Sequence, residues 1–545
     1  MRVSRRGKAA AAVGVALALV ATGCSSTDDK GSGTGDSNGE ITVTGNQPEN
    51  PLVPSNTTET QGGQVVDALF TGLINYNPDD AHPENAVAEK FETTDNLTYT
   101  VTLKKGWKFH DGTDVDANSF VDAWNWAAYS PNGAQNSSFF GSIKGFEDVQ
   151  SEDPDEDGPK QAPKPKTDKM SGLEVVDANT FKVTLSGPSS VFNQMVGYSA
   201  FMPLPKAFFK DPVAFGKKPI GNGPFKFISW KDNDSIVVER YDDYKGDDKP
   251  KVKKVTFKHY TTSEASYADL ISGNIDYEQQ IPTNALVGDK YKTDLPDRWI
   301  EKPVGVVTYV AFPIYDKRFT NKKLRQAISM AVDRKTITDK IFNKTRQPAT
   351  GYISPSVEGA RENVCKYCEY NPTEAKKLLA EAGGWQGEMK IFYNGDASHK
   401  DWVEAMANSI SKALGIKAVA SPVPTFAEFR SQINAHKMTG PYRAGWQMDY
   451  PHIENFLNPL YKTGASSNDG LYSSPEVDAA LKQADEEKDA KKAIELYQKA
   501  EDLVAEDVPS IAMWMTKAQV GYSDRVTNVK VTAFGELDLT SITVK

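Results

Sequence analysis

Apolar and polar residues alternate in Tyr99-Thr100-Val101-Thr102-Leu103 and in Thr180-Phe181-Lys182-Val183-Thr184-Leu185, the period-two pattern of half-buried strands. Ile236-Val237-Val238-Glu239-Arg240-Tyr241 reads as another strand. Elsewhere the period lengthens to that of a helix. After Asn321, a natural N-cap, Leu324, Ala327, Ile328, Ala331 and Val332 fall on one face. Asn371-Pro372-Thr373-Glu374 supplies a cap, a first-turn proline and an acidic N3 residue before Ala375 to Ala382, and Gly383 stops that helix. Trp402, Val403, Met406, Ile410 and Leu414 mark a further amphipathic helix. The mixture predicts an α/β protein, and no internal repeat is evident.

The chain of 545 residues is long enough for about three or four domains, or for two lobes with large insertions. With 39% hydrophobic and 25% charged residues it has ample material for cores, which excludes wholesale disorder. A net charge of −10 leaves no basic surplus for nucleic acid. The local run Lys249 to Lys254 reads as a solvated strand edge, and the charged, proline-rich stretch 151–169 as a surface loop.

Arg2, Arg5, Arg6 and Lys8 precede an apolar run from Ala9 to Ala21, too short to span a bilayer but suited to a signal peptide. Val20-Ala21-Thr22-Gly23-Cys24 resembles a lipoprotein cleavage box, with Ala21 where leucine is usual. Residues 1–23 are therefore expected to be removed and Cys24 to be lipidated, anchoring the protein to the outer face of the cell membrane without spanning it. Ser25 to Glu40 has almost nothing apolar and reads as a flexible tether, giving residues 24–40 as anchor and linker.

Outside the cytosol, Cys365 and Cys368 are expected to form a small local disulfide. A redox dithiol or half a zinc site are the alternatives, but no second CxxC or nearby histidine follows. Asp153-Pro154-Asp155-Glu156-Asp157-Gly158 begins like a calcium loop, yet its twelfth position is Lys164 where a bidentate glutamate is needed. No GxxxxGK[ST], HExxH or GxSxG occurs, so neither an enzyme activity nor a cofactor is expected.

Several segments together resemble the extracellular solute-binding proteins of family 5, the peptide-, dipeptide- and nickel-binding components of ABC importers. They are Trp107 to Thr113 with Val115 to Phe120, the turn Gly221-Asn222-Gly223-Pro224-Phe225, Phe319 to Lys335, and Tyr370 to Gly383. The resemblance runs from about residue 41 to 545. It implies a two-lobed, periplasmic-binding-protein-like (type II, Venus-flytrap) α/β fold with an extra subdomain in the first lobe. Domain I would take 41–70, 185–306 and 517–545, domain II 71–184, and domain III 307–516. The protein would work as a monomer, enclose an oligopeptide between domains I and III, and deliver it to permease subunits powered by a separate ATPase. A dipeptide, nickel, haem or sugar ligand, or a role as a peptide-sensing receptor, are the alternatives within this resemblance.

Tyr442-Arg443-Ala444-Gly445-Trp446-Gln447-Met448-Asp449-Tyr450, then Asn455-Phe456-Leu457, resembles the ligand strand of the family's oligopeptide binders. By that likeness Asp449 meets the peptide's α-ammonium in a charge-assisted hydrogen bond. The backbone of Ala444, Gly445, Trp446 and Gln447 would take the ligand as an added strand. Thr58, Glu59 and Thr60 match the extended opposite wall. Arg443, His399 and Arg430 match basic residues that meet the ligand's carboxyl end. Two departures stand out: Val307 and Gln447 replace a cysteine pair, and Val423 replaces an indole. Plain structural roles compete at each place: Asp449 as a helix cap before Pro451, Trp446 as core, Arg443 in an ion pair, His399 steadying the following helix. Trp107 and Gly112 are expected to fix the fold.

Overall fold

The computed structural model describes residues 38–48, 50–151, 161–395, 397–465 and 467–545. The signal segment, Cys24, the tether to residue 37 and the calcium-like stretch Asp153 to Gly158 lie outside the described residues. No described helix is long and apolar enough to cross a membrane.

Two antiparallel strands of 13 residues each, Trp299–Ala311 and Ser510–Tyr522, form the spine of an eleven-stranded mixed sheet. At roughly 3.3 Å per residue each is about 40 Å long, enough to run through two lobes. Their pairing slips between Pro303 and Val307, where Pro303 has no N–H to give to the ladder. On one side of the slip the spine continues through Tyr277–Glu278, Glu40–Gly45, Lys254–His259, Ser235–Arg240 and Phe225–Lys231. On the other it continues through Tyr442–Gln447, Glu388–Asn394 and Lys417–Val423.

Each side carries its own apolar core. Phe312, Ile328, Trp402, Met406, Ile410, Leu481, Val504 and Trp514 belong to one. Val43, Leu69, Phe70, Trp107, Trp124, Phe181, Val520 and Ile542 belong to another, and a small third cluster surrounds Tyr291. The second core is shared with a separate sheet of Ala88–Thr93, Thr98–Leu103, Thr180–Thr184 and Leu173–Asp177. Helix Ala117–Ala128, held by a capping box between Asp116 and Ser119, lays Phe120 and Trp124 on Phe181 of that sheet. The stretch 71–184 thus packs onto the first lobe through one continuous apolar interior.

The periodic segments fold as their patterns predict. Asn321 caps helix Lys322–Met330, Asn371 caps Pro372–Glu381, and Trp402 opens a buried stripe on Lys400–Leu414. Gly383 follows its helix with φ +95°, a conformation that favours glycine. The basic run 249–254 differs from expectation. Val252 is fully buried, and Lys254 opens a strand paired on both sides, so only the turn before it is an exposed rim. Cys365 and Cys368 are joined in a disulfide and buried beneath the short helical turn Lys366–Cys368, rather than sitting in a polar loop, because Tyr367 and both sulfurs pack into the core of their lobe.

Candidate functional site

A cavity of about 400 Å³ opens between the two cores. Its walls come from distant parts of the chain: Thr57 to Asp67, Tyr76, Tyr198, Tyr277, Gln447 to Asp449 and Thr532 to Thr540 all contribute.

One wall begins with helix Thr60–Leu69. Glu59 is its N-cap and accepts the Gly62 N–H at 2.8 Å, so the extended segment expected here ends one residue early. The helix end is fixed by Gly221 and Gly223, whose backbones lie so close to Leu69 and Phe70 that a side chain would overlap them. Between them Asn222, fully buried, grips Thr71 with both ends of its amide, at 3.0 and 2.9 Å. That double clamp sets the position of Asp67, which presents its carboxylate to the cavity.

The facing wall is the end of strand Tyr442–Gln447. Its outer neighbour pairs with it only at Tyr442, through Phe392, so from Arg443 to Gln447 that edge carries no strand partner among the described residues. Asn455, fully buried, then organises the turn. Its Oδ1 accepts the Trp446 Nε1–H at 3.1 Å and the Asp449 N–H at 2.9 Å, and its Nδ2 donates to Asp449 Oδ2 at 3.0 Å. Asp449 is therefore a held, cavity-facing carboxylate and not a helix cap. Thr60 Oγ1 donates to Gln447 Oε1 at 3.1 Å, joining the two walls directly across the cleft.

The electrostatics are one-sided. Eight carboxylates line the cavity (Glu59, Asp67, Glu84, Asp247, Asp248, Asp449, Glu536, Asp538) against one ammonium, Lys104, which donates to the Asn85 carbonyl. Burial pushes Asp449 up to about 7, with Asn455 and Tyr198 partly favouring the ionised form. Asp67 is open to the water of the cavity but enclosed by protein around it, and this burial raises it to about 7 as well. Glu536 is pushed well above the usual carboxylate range, first by burial and then by the charge of Asp67. None of these three has an ion-pair partner among the described residues. No cluster of three or more metal-ligating side chains occurs among them either.

Of the residues singled out from sequence, Asp449, Gln447, Thr58, Glu59 and Thr60 meet at this cavity. Thr58 spends its hydroxyl on Gln135. Ala444, Gly445 and Trp446 lie on the open-edged strand beyond the cavity wall, and Trp446 is half-buried with its indole N–H on Asn455. Arg443 donates to Asn394 Oδ1 at 3.0 Å and lies over the Phe426 ring. His399 accepts from the Trp402 indole of its own helix at 3.2 Å, and Arg430 is paired with Asp469 at 2.7 Å. These three do not line the cavity. Val423 is buried at a strand end, and Val307 sits opposite Trp446, one register step from Gln447. Sequence reasoning passed over Asp67, Glu536, Tyr76, Tyr198 and Tyr277. Asp67 gives no signal in the sequence, since the pattern does not predict the helix that carries it.

Comparison with known proteins fits this geometry. The oligopeptide-binding protein of Bacillus subtilis is 27% identical over 513 residues, covering 90% of this chain and 91% of the relative. The glutathione-binding protein of Salmonella paratyphi A is 25% identical over 490 residues, covering 87% and 89%. Among solved structures, the murein tripeptide binding protein of Escherichia coli overlays with a TM-score of 0.82 at 23% identity, covering 94% and 99% of the two chains. The unliganded open form of that protein overlays less well, at 0.70. A sequence profile matches residues 82–468, well over half of the chain, and by that match the chain belongs to the bacterial extracellular solute-binding proteins, family 5.

Proposed function

We propose that this protein captures oligopeptides outside the cytoplasmic membrane, between its two lobes, and hands them to the permease of an ABC importer driven by a separate ATPase. The observation that carries the reading is Asp449, a half-buried carboxylate without a cationic partner among the described residues, at the end of a strand whose outer edge is open. A buried carboxylate favours a ligand ammonium over a neutral group and leaves itself unpaired if the ammonium is missing. The open edge offers backbone donors and acceptors that bind any peptide irrespective of its side chains.

In this reading Thr58, Glu59, Thr60 and the segment Ala444 to Gln447 form the two walls, and Arg443, His399 and Arg430 lie toward the ligand's carboxyl end. The lobes hinge where the spine strands slip register, so domain I comprises 41–70, 185–306 and 517–545, domain II 71–184 and domain III 307–516. The lipid on Cys24 holds the monomeric protein at the membrane, and the chain catalyses no reaction on the peptide.

Native mass spectrometry with a mixed library of two- to six-residue peptides tests the reading. Free-amine peptides are retained intact, and retention is lost on N-acetylation or with Asp449→Ala. Retention indifferent to the amine would remove Asp449 from its role, and no retained peptide at all would remove the oligopeptide ligand.

A further inference from the structure

The cavity holds more carboxyl groups than a peptide's single α-ammonium can answer. Asp67, from the helix of one wall, faces the cavity with no hydrogen bond or ion pair among the described residues. Glu536, from the carboxy-terminal segment, lies close enough to Asp67 for their charges to interact. A third, independent observation marks the same spot. Tyr277 lines this cavity, is 2% exposed, and its hydroxyl has no hydrogen-bond partner among the described residues. Burial first, then the charges of Glu278 and of Glu536, hold its phenol protonated, so both acids lie nearby. A buried hydroxyl without a partner is rare in native proteins and calls for a group that the ligand brings.

We propose that Asp67, Glu536 and the Tyr277 hydroxyl form a second cation subsite, which takes the basic side chain of a lysine or arginine near the amino terminus of the bound peptide. The proposal rests on the peptide reading above. Asp449 and Asp67 line the same cavity as Tyr76 and Tyr198 and both act on that tyrosine pair, so the two carboxylates face one shared space. An α-ammonium at Asp449 thus leaves the side chain of the first residues within reach of Asp67. An ammonium or guanidinium there neutralises two mutually repelling acids and donates to the phenol oxygen, whereas an apolar side chain leaves Asp67 and the phenol without a partner and Glu536 with only its hydrogen bond to Gln447. A metal ion is a poor substitute, since the described acids include no cluster with ligating geometry.

Titration calorimetry on the purified protein tests this with alanine tripeptides in which lysine, or norleucine, which keeps the four-carbon chain and lacks the ammonium, is placed in turn at each position. One of the first two positions is expected to favour lysine over norleucine by about tenfold or more. Asp67→Asn or Glu536→Gln brings that ratio below about threefold. Tyr277→Phe, which deletes only an unpartnered oxygen and so keeps the fold, also lowers it. On the unaltered protein at pH 6, the lysine peptide releases more protons than its norleucine twin, read from the heats in two buffers of different ionisation enthalpy. Equal binding of lysine and norleucine peptides at every position overturns the subsite and leaves the peptide reading standing. Binding of no peptide removes both.

Discussion

The pH dependence of peptide affinity follows from the burial of Asp449. With its carboxyl near 7 in the empty site, the ionised fraction is about nine-tenths at pH 8, one half at pH 7 and about one-hundredth at pH 5. Only the ionised form pairs with an ammonium. The peptide's own α-ammonium, with a pKa of about 7.7–8.0, loses its proton toward pH 8, so affinity for a free-amine peptide without ionisable side chains is nearly level from pH 8 to 7 and then falls by about 40-fold between pH 7 and pH 5, roughly 2.2 kcal/mol. Trialanine amide is the ligand to use, because it has no side chain for Asp67 or Glu536 and no carboxylate of its own to titrate. Titration calorimetry at half-unit steps should give a slope approaching one decade per pH unit below 7, with close to one proton released per peptide at pH 5.5. Folding stability of the empty protein has the opposite slope. The folded-state value lies above the ordinary 3.8, so the contribution of Asp449 to stability is full below pH 4 and is lost as pH rises through 7. Acid thus strengthens the empty fold at this residue while weakening the complex. An affinity that stays flat from pH 8 to 5, or the same slope with an N-acetylated peptide, refutes the reasoning.

Replacing Asn455 with alanine removes three hydrogen bonds in a fully buried position, so unfolding free energy should drop by about 2–4 kcal/mol in urea titrations and peptide affinity should drop with it. A stable variant with normal affinity would show that the clamp does not position Asp449. A methyl group on Gly305, at the slip in the spine strands, would overlap the side chain of Met448; Gly305→Ala should cost about 1–3 kcal/mol, and combined with Met448→Ala it should cost less than the sum of the two separate changes. The paired change Cys365→Ser and Cys368→Ser opens a very short loop, so it should lower stability by about 2 kcal/mol or less, leaving peptide affinity within twofold of the unaltered protein. Small-angle scattering of the empty protein should show contraction on going from pH 8 to pH 5; an unchanged or larger radius would mean that the cavity acids do not hold the lobes apart.

The elements were legible wherever their signal is local. Caps such as Asn321 and Asn371, and alternation such as Thr180 to Leu185, depend on neighbours a few residues away. Helix Thr60–Leu69 was missed because Gly62 and Gly63 weaken its propensity, and Glu59 reads as strand when its capping bond to Gly62 is invisible. Asp449 was legible because its setting, from Tyr442 to Leu457, is one continuous stretch. Asp67 and Glu536 were not, since they come from opposite ends of the chain and become neighbours only when the first core forms. Asp67 alone sits on the polar side of an amphipathic helix and looks like any solvated acid. Arg430 shows the reverse limit: sequence marks a cation, but only the fold reveals that Asp469 is beside it.

The distribution of acids between the lobes gives closure a reason to depend on occupancy. Asp449 belongs to the lobe whose core holds Met448 and Tyr450, while Asp67 belongs to the helix packed into the other core. Bringing the walls together, as the Thr60–Gln447 bond requires, therefore gathers carboxylates from both lobes into one enclosure. Without a cation, closure takes these carboxyls out of water and favours their protonated forms, and this burial is what raises Asp449 and Asp67 to about 7. A ligand ammonium reverses the sign of that term and gains contacts from both walls at once. If the ligand meets both walls only in the closed arrangement, as the proposed function requires, its differential affinity for that state is what shifts the population. Under the proposed function, charge would thus do two things with the same residues: select an amine-bearing ligand, and oppose closure of the empty lobes.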